Sequence, residues 1–451
     1  MAVDQTELPL AAGGETRRAQ RCEEAGPTAS EPERLGDGDL MSQVVERSNL
    51  ARALKRVRRN QGSAGIEGMT VEQWEPYLRG HWHGIREALL AGTYQPSAVR
   101  HHEIPKADGR VRTLGIPTVL DRFIQQAVLQ VLQPRFDPTF SESSYGFRPG
   151  RKAHDAIGQA QRYVQSGRHW VVDVDLAQFF DRVNHDVLMG ELHHRITDRR
   201  VLALIRRYLE AGMMANGVVH ERREGTPQGG PLSPLLANVL LDGIDKALER
   251  RGQCFVRYAD DCNVYVRSKR AGERVMQALI GLYRKLPLQV NVAKSAVAPV
   301  GERQFLGFRF GVAPRGVISR GIAPHALTKM MDRIRAITAR NGGRSIAQVV
   351  AALRQYLVGW RNYFRLADTP IVFAQLDQWL HRRLRALYLK HWKRGTTVFR
   401  ELRRRGVPYG AAARVARYTG QWWWGADQAA LHLALPPSYF AQLGVPRLAP
   451  C

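Results

Sequence analysis

Hydrophobic and polar positions change period several times along this chain. From Met41 to about Gly92 the chain reads as helical and basic, broken at Asn60-Gln61-Gly62-Ser63-Ala64-Gly65. Residues 94–117 read as extended segments joined by a turn at Ala107-Asp108-Gly109. Val119, Phe123, Ala127, Val128, Val131 and Leu132 then fall on one face of a predicted helix over 119–133. Elements alternate after that: strand 169–176, helix about 184–211, strand 218–222, helix 231–250, a hairpin over 253–267 and a helix over 271–286. Strands crossed by helices predict an α/β or α+β layered core. From about His325 the pattern is helical throughout. Residues 1–40, rich in Gly, Glu, Ala and Pro with little period, are expected to be a disordered leader. There is no internal repeat and no coiled-coil pattern.

Composition narrows the partners. A chain of 451 residues with 44% hydrophobic residues can build two or three domains with sizeable cores. Net charge is +26 and the pI is about 10.6. The first 40 residues carry nine acids and four bases, so the remainder holds 63 bases against 32 acids. Residues 325–420 alone hold 20 Lys and Arg against four acids. Such an excess repels itself unless a polyanion balances it, which points to nucleic acid. Cys22, Cys254, Cys262 and Cys451 are scattered and form no Cys-x-x-Cys pair, which excludes a zinc ribbon or paired-cysteine nuclease module. A reducing cytosol fits that usage. No signal peptide and no apolar run of about 18 residues predicts no membrane span.

Three segments carry candidate chemistry. Tyr258-Ala259-Asp260-Asp261 lies between the strand-like runs Cys254-Phe255-Val256-Arg257 and Cys262-Asn263-Val264-Tyr265-Val266. Paired carboxylates on a rigid turn are hard oxygen ligands, suited to two Mg²⁺ ions about 3.5–4 Å apart in phosphoryl transfer. Aspartate is also favoured in turns for its own hydrogen bonds. The second segment is Trp170-Val171-Val172-Asp173-Val174-Asp175-Leu176, whose alternation puts Asp173 and Asp175 on one strand face. Either aspartate satisfies the period as a third metal ligand, and either could instead pair with a local arginine such as Arg182. The third is Gly225-Thr226-Pro227-Gln228-Gly229-Gly230-Pro231-Leu232-Ser233-Pro234, a Gly-rich loop that lets backbone approach a ligand and opens a helix.

In order and company these segments resemble the reverse transcriptases encoded by bacterial group II introns, the intron maturases. Asn60 to Thr70 is similar to that family's early block and Ile104 to Pro117 to its fingers block. Ser144-Tyr145-Gly146-Phe147-Arg148-Pro149-Gly150-Arg151 follows, then Asp175 to Asp181, the Pro227-Gln228-Gly229 loop and Tyr258 to Asp261. Leu288 to Ser295 and Gln304 to Phe308 close the polymerase part. The resemblance runs from about residue 41 to the end and implies an α+β right-hand polymerase fold, fingers and palm, followed by an all-helical basic thumb and maturase domain. It implies that Asp175, Asp260 and Asp261 are catalytic. With the Leu176 carbonyl they would hold two Mg²⁺ ions. It selects Asp175 over Asp173, because the family's aspartate precedes an aromatic by five positions. Phe180 is then the gate that excludes a 2′-hydroxyl. Lys106, Arg112, Gln228 and Lys294 correspond to nucleotide-binding positions, and Phe305 to Phe308 to the primer grip.

Past residue 325, Tyr356 to Phe364 and Trp379 to Leu384 resemble the thumb and maturase domain. Trp360, Tyr363 and Phe364 are expected mainly inside, and Arg361, Arg365, Arg382, Arg383 and Arg385 are expected to face RNA phosphates. The tail, with Trp422-Trp423-Trp424, resembles the family's end segment without an endonuclease, as in its shorter class. The expected division is leader 1–40, N-terminal extension and fingers 41–170, palm with interleaved fingers elements 171–315, thumb and maturase 316–400 and tail 401–451. The resemblance implies RNA-directed DNA synthesis plus assistance to splicing and mobility of a group II intron. The partners would be intron RNA, an RNA template with DNA primer, dNTPs and target DNA, in a bacterial cytoplasmic ribonucleoprotein. Two other readings remain: a domesticated or defence-associated reverse transcriptase, and a maturase that binds RNA without polymerising.

Overall fold

A computed structural model describes residues 39–105, 111–215, 218–222, 224–227, 229–312, 316–418 and 420–449. The expected leader lies outside the described residues, apart from Asp39 and Leu40, which open the first helix. Ten strands within the described residues form three sheets. β1 (Val99–Pro105), β2 (Val111–Ile116), β4 (Met213–Ala215) and β5 (Val218–His220) make one, in the order β2-β1-β4-β5. β3 (Trp170–Val174), β6 (Cys254–Tyr258), β7 (Asp261–Val266) and β8 (Ala296–Pro299) make the central sheet, in the order β6-β7-β3-β8. β9 (Phe308–Val312) and β10 (Ile318–Ile322) pair as an antiparallel hairpin.

The central sheet follows from period-two alternation in a strand set covered on both faces. Phe255, Val172, Val174, Val264 and Val266 belong to one hydrophobic core, with Leu279 and Tyr283 of the helix Lys269–Lys285. Val171, Val256 and Tyr265 belong to a second core, with Ile157, Ala160 and Val164 of the helix Ala153–Gln165. β3 runs antiparallel to β7 with Asp173 opposite Asn263 and Val174 opposite Cys262. The architecture is therefore α+β, as its alternating pattern predicts.

Element boundaries differ from the pattern where local capping intervenes. The helix expected over 184–211 is two helices, His185–His193 and Arg199–Glu210. Asp198 starts the second, its carboxylate accepting from the Arg200 N–H at 2.9 Å, and it also accepts from the Met41 N–H at 2.9 Å. A contact 157 residues away in sequence thus helps break the run. The basic segment 41–92 resolves into helices Leu40–Val44, Arg47–Asn60 and Val71–Leu90, the last opened by a Thr70/Gln73 capping box.

The C-terminal helices share the second core. Leu353, Leu380 and Leu384 pack in it with Leu402, Leu431 and Phe440, so the tail and the preceding helices are one packed unit. The helix Gly395–Arg404 runs across residue 400, where the division into thumb and tail was expected. Among the described residues no helix is long and apolar enough to cross a membrane.

Candidate active site

The β6–β7 hairpin closes on itself with Tyr258 opposite Asp261. Its turn requires Ala259 at φ +59°, a left-handed conformation costly for a residue with a Cβ. Arg257 holds that conformation from beneath. Its side chain is fully buried, 0% exposed. Nη1 donates to the Ala259 carbonyl at 2.8 Å and to Asn238 Oδ1 at 2.9 Å, while Nε donates to the two Asp245 oxygens at 2.8 and 3.0 Å. Burial works against the guanidinium charge, and Asp245 outweighs it, raising the Arg257 pKa further. Asn238 in turn donates to the Gly146 carbonyl at 2.9 Å. A Cβ on Gly146 would meet the Ala259 nitrogen at 2.1 Å, so only glycine lets this segment lie against the turn. Arg257, Asn238 and Asp245 were not singled out from sequence, where Arg257 reads as one more strand residue.

Continuing the β3–β7 register by one residue sets Asp175 opposite Asp261. Asp175 and Asp260 line a cleft of about 640 Å³ with Leu176, Phe180 and Lys294. Asp175 and Asp261 line an adjoining cleft of about 780 Å³ that also contains Phe305, Leu306 and Gly307. Asp175 therefore faces both. Its Oδ2 accepts from Asn291 Nδ2 at 3.1 Å and lies 3.7 Å from Lys294 Nζ. Asp173 is engaged differently: Arg303 Nε donates to its Oδ2 at 2.8 Å and Nη2 lies 2.6 Å away. Its partner is thus Arg303, not the nearby Arg182, and the structure separates the two aspartates by what each meets. Asp261 stands at the exposed hairpin tip, yet removal of its carboxyl from water, and then the charges of Asp260, Asp173 and Asp175, push its pKa up to about 7. Lys294 acts in the opposite direction.

Phe180 is half-buried, with Phe179 edge-on at 5.1 Å and Phe147 at 6.4 Å between ring centres. The Gly-rich loop is brought to it by backbone bonds. Thr226 N–H donates to the Phe180 carbonyl at 2.7 Å and Gly225 N–H to the Val183 carbonyl at 2.8 Å. Gly225 has φ +86°, and a Cβ there would meet the Asp181 carbonyl oxygen at 2.8 Å. Lys106 and Gln228 lie outside the described residues, and Arg112 is placed only as a backbone position of β2.

The donor chemistry fits Mg²⁺: carboxylates crowded enough to raise a pKa, and a backbone carbonyl beside them. Leu176 bridges Val290, but the bonds come from its neighbours, Ala177 N–H to the Gln289 carbonyl and Asn291 N–H to the Asp175 carbonyl. The Leu176 carbonyl is therefore not used by that ladder. Among the described residues no three His, Cys, Asp or Glu side chains form a ready cage for an ion.

The arginines expected to face RNA divide. Arg361 and Arg365 are exposed. Arg385 is not: it is 3% exposed, and its Nε donates to the Leu435 carbonyl at 3.1 Å. The helix Pro370–Trp392 is covered on that side by the C-terminal segment, so Arg385 satisfies a helix-end carbonyl instead of phosphate. Arg383 is half-buried and donates to Thr338 Oγ1 at 2.8 Å. Arg382 is half-buried and bonds the Trp423 carbonyl at 3.1 Å. Trp360 and Phe364 are buried as expected, whereas Tyr363 sits at the surface and donates to the Leu306 carbonyl at 2.9 Å. Phe305 and Phe308 are core residues.

Parts of the chain match known families and proteins. Residues 104–310 match the family described as reverse transcriptase (RNA-dependent DNA polymerase). Residues 327–406 match the group II intron maturase-specific domain. Protein YkfC of Escherichia coli (strain K12) is 34% identical over 218 residues, covering 47% of this chain and 57% of that protein. Group II intron-encoded protein LtrA of Lactococcus lactis subsp. cremoris is 41% identical over 163 residues, covering 36% of this chain and 27% of that protein. A chain of a solved partial Cas6-RT-Cas1–Cas2 complex aligns with a TM-score of 0.36 at 25% identity, covering 56% of this chain and 43% of that one. The matched parts span little more than half of the curated relatives at most. With a reverse transcriptase match followed by a maturase-specific match, the chain is similar to group II intron-encoded reverse transcriptases and maturases.

Proposed function

We propose that this chain is an RNA-directed DNA polymerase that also binds a group II intron RNA to assist its splicing and mobility. The observation that carries the polymerase reading is the convergence of Asp175, Asp260 and Asp261 on adjoining clefts beside Phe180. In the reaction the primer 3′-hydroxyl attacks the α-phosphate of a deoxynucleotide in line, a P–O bond forms, and pyrophosphate leaves. Two Mg²⁺ ions held by Asp175, Asp260, Asp261 and the Leu176 carbonyl would supply charge to activate the hydroxyl and stabilise the leaving group. Phe180 closes the sugar side of the cleft and excludes a 2′-hydroxyl. Lys294, 3.7 Å from Asp175, is assigned to triphosphate charge, and Lys106, Arg112 and Gln228 are assigned to the nucleotide. The Phe305–Gly307 turn lines the second cleft and is assigned to the primer end.

The splicing role rests on the maturase-specific match and on the base excess of residues 325–420. Arg361 and Arg365 remain available there for phosphate. Target DNA would be engaged when its 3′ end at the insertion site primes reverse transcription of the intron RNA. The test uses the purified chain with a heteropolymeric RNA template, an annealed DNA primer, dNTPs and Mg²⁺. Template-length DNA is expected, and no incorporation would overturn the polymerase assignment. Splicing of an intron RNA at low Mg²⁺, with and without the chain, tests the second role separately.

A further inference from the structure

The C-terminal helices carry a surface in which cations lie on indole rings. Arg335 and Arg383 sit over Trp379 at 5.6 and 5.3 Å from the ring centre. Arg340 and Lys390 sit over Trp422 at 5.5 and 4.4 Å. Arg382 covers Trp423 at 4.3 Å and also bonds its backbone carbonyl. The groups are neighbours, since Arg335 and Arg340 both press electrostatically on Arg383, whose pKa is lowered by burial and then by those two charges. Among the described residues, carboxylates pair with only two of these five cations: Asp427 with Arg382 at 3.3 Å and Asp332 with Arg335 at 2.6 Å. The surface therefore keeps an unbalanced positive charge.

The rings are not sealed into the core. Trp423 and Trp424 are each 39% exposed, and Tyr418, edge-on to Trp424 at 5.0 Å, is 46% exposed. Contiguous exposed aromatic rings of this kind mark interaction surfaces. A cation against one face of Trp423 leaves the remaining ring surface open for a flat partner. Phosphate for the cations and a planar base for the rings are the two faces of one ligand, an unpaired stretch of nucleic acid. We infer that the Trp422–Trp424 surface, with Arg340 and Lys390, is a docking site for an unpaired RNA segment: bases stack on Trp423 and its neighbours while phosphates meet the two cations. This deepens the RNA-binding half of the proposed function and rests on it. It assigns that role to residues near the end of the chain, about 160 positions beyond the Asp260-Asp261 turn. An acidic protein would satisfy the charge but supply no planar face for the rings.

The test is fluorescence-anisotropy titration of the full chain with three labelled probes: an RNA hairpin with an unpaired loop, an RNA duplex of equal length, and a DNA hairpin of the same sequence. Trp423→Ala is expected to weaken loop binding by roughly 5- to 100-fold, the range for one lost base–aromatic stack, with little change on the duplex. Trp423→Phe should restore most of it. The double variant Arg340→Gln/Lys390→Gln should lower the slope of log K against log salt by about 1.4, at about 0.7 per phosphate on a single strand. Loss on the RNA hairpin is the expected result, and loss on the DNA hairpin alone would overturn the assignment to RNA. The inference is overturned if folded Trp423→Ala, checked by thermal melting, binds the loop as wild type does. It is equally overturned if the variant loses loop and duplex in equal proportion, or if polyglutamate displaces the loop as well as unlabelled RNA does. Primer extension by the same preparations reads the polymerase assignment independently, and these variants should leave it unchanged.

Discussion

Replacing Arg257 separates what holds the fold from what shapes the catalytic turn. Its guanidinium makes three kinds of contact: the bonds to the buried Asp245, one bond at 2.9 Å to Asn238 Oδ1, and one bond at 2.8 Å to the Ala259 carbonyl in the strained turn. Arg257→Met leaves Asp245, itself 0% exposed, as an uncompensated buried charge, which costs about 3–5 kcal/mol. Against a domain stability of roughly 5–15 kcal/mol the variant should still fold at low temperature with a clearly lowered Tm. The double variant Arg257→Met/Asp245→Leu removes both charges for side chains of similar volume, and such swaps are often neutral or stabilising by about 1–4 kcal/mol. Its Tm should return towards wild type. The anchor on Ala259 stays lost, so Asp260 and Asp261 are no longer held in place. A displacement of about 1 Å at a catalytic group can cost on the order of 100-fold. The expected pattern is a recovered melting temperature with single-turnover primer extension still reduced on that order, and with more Mg²⁺ needed for half-maximal rate. Full recovery of rate along with stability would refute the positioning role and leave Arg257 a structural residue.

Three further outcomes follow from named contacts. Phe180→Val should lower the ratio of kcat/KM for dNTP over rNTP by roughly 10- to 200-fold, the scale of a steric pocket contact, and Phe147→Ala should lower it less by loosening the ring that supports Phe180; an unchanged ratio in active protein places the gate elsewhere. Without metal, Asp261 keeps in the folded state, up to about pH 7, a proton that its ordinary pKa of 3.8 would release in the unfolded chain. Stability should fall as pH rises across that window, and Asp261→Asn should melt above wild type in EDTA at pH 8, with a smaller gap at pH 5; a lower melting temperature at pH 8 would contradict the crowding. Arg385→Ala should lose about 1–3 kcal/mol of stability by leaving the Leu435 carbonyl unsatisfied, while charge reversal at Arg361 and Arg365 should spare the melting temperature and weaken RNA binding; the opposite assignment of effects would show the burial to be misread.

The segments that the fold brings together at the two clefts carry local signals in the chain. The aspartate pair sits in a hairpin whose flanking strands alternate cleanly, and the Gly-rich loop carries its own turn chemistry. The period alone did not choose between Asp173 and Asp175; the resemblance chose Asp175 by its spacing to Phe180. Periodicity puts both on one face, and only the fold brings Arg303, 130 residues away, onto Asp173. The buried triad of Arg257, Asp245 and Asn238 was invisible for the same reason: a charged residue inside a strand gives no sign of its partner on a helix. Arg385 misled because a basic helix resembles a solvated one until the segment that covers it is placed. Strand β4, only three residues long, and the cap at Asp198 depend on distant pairing that no local period records.

The central claim, that Asp175 and the hairpin aspartates form a polymerase centre separate from RNA recognition, is tested most directly by one paired measurement on Asp260→Asn. The amide keeps the shape of the carboxylate and removes its charge. RNA-templated DNA synthesis by the purified variant should fall to background while its affinity for structured intron RNA stays within about twofold of wild type, since phosphate contacts far from the hairpin carry that affinity. DNA synthesis at the wild-type rate would contradict it.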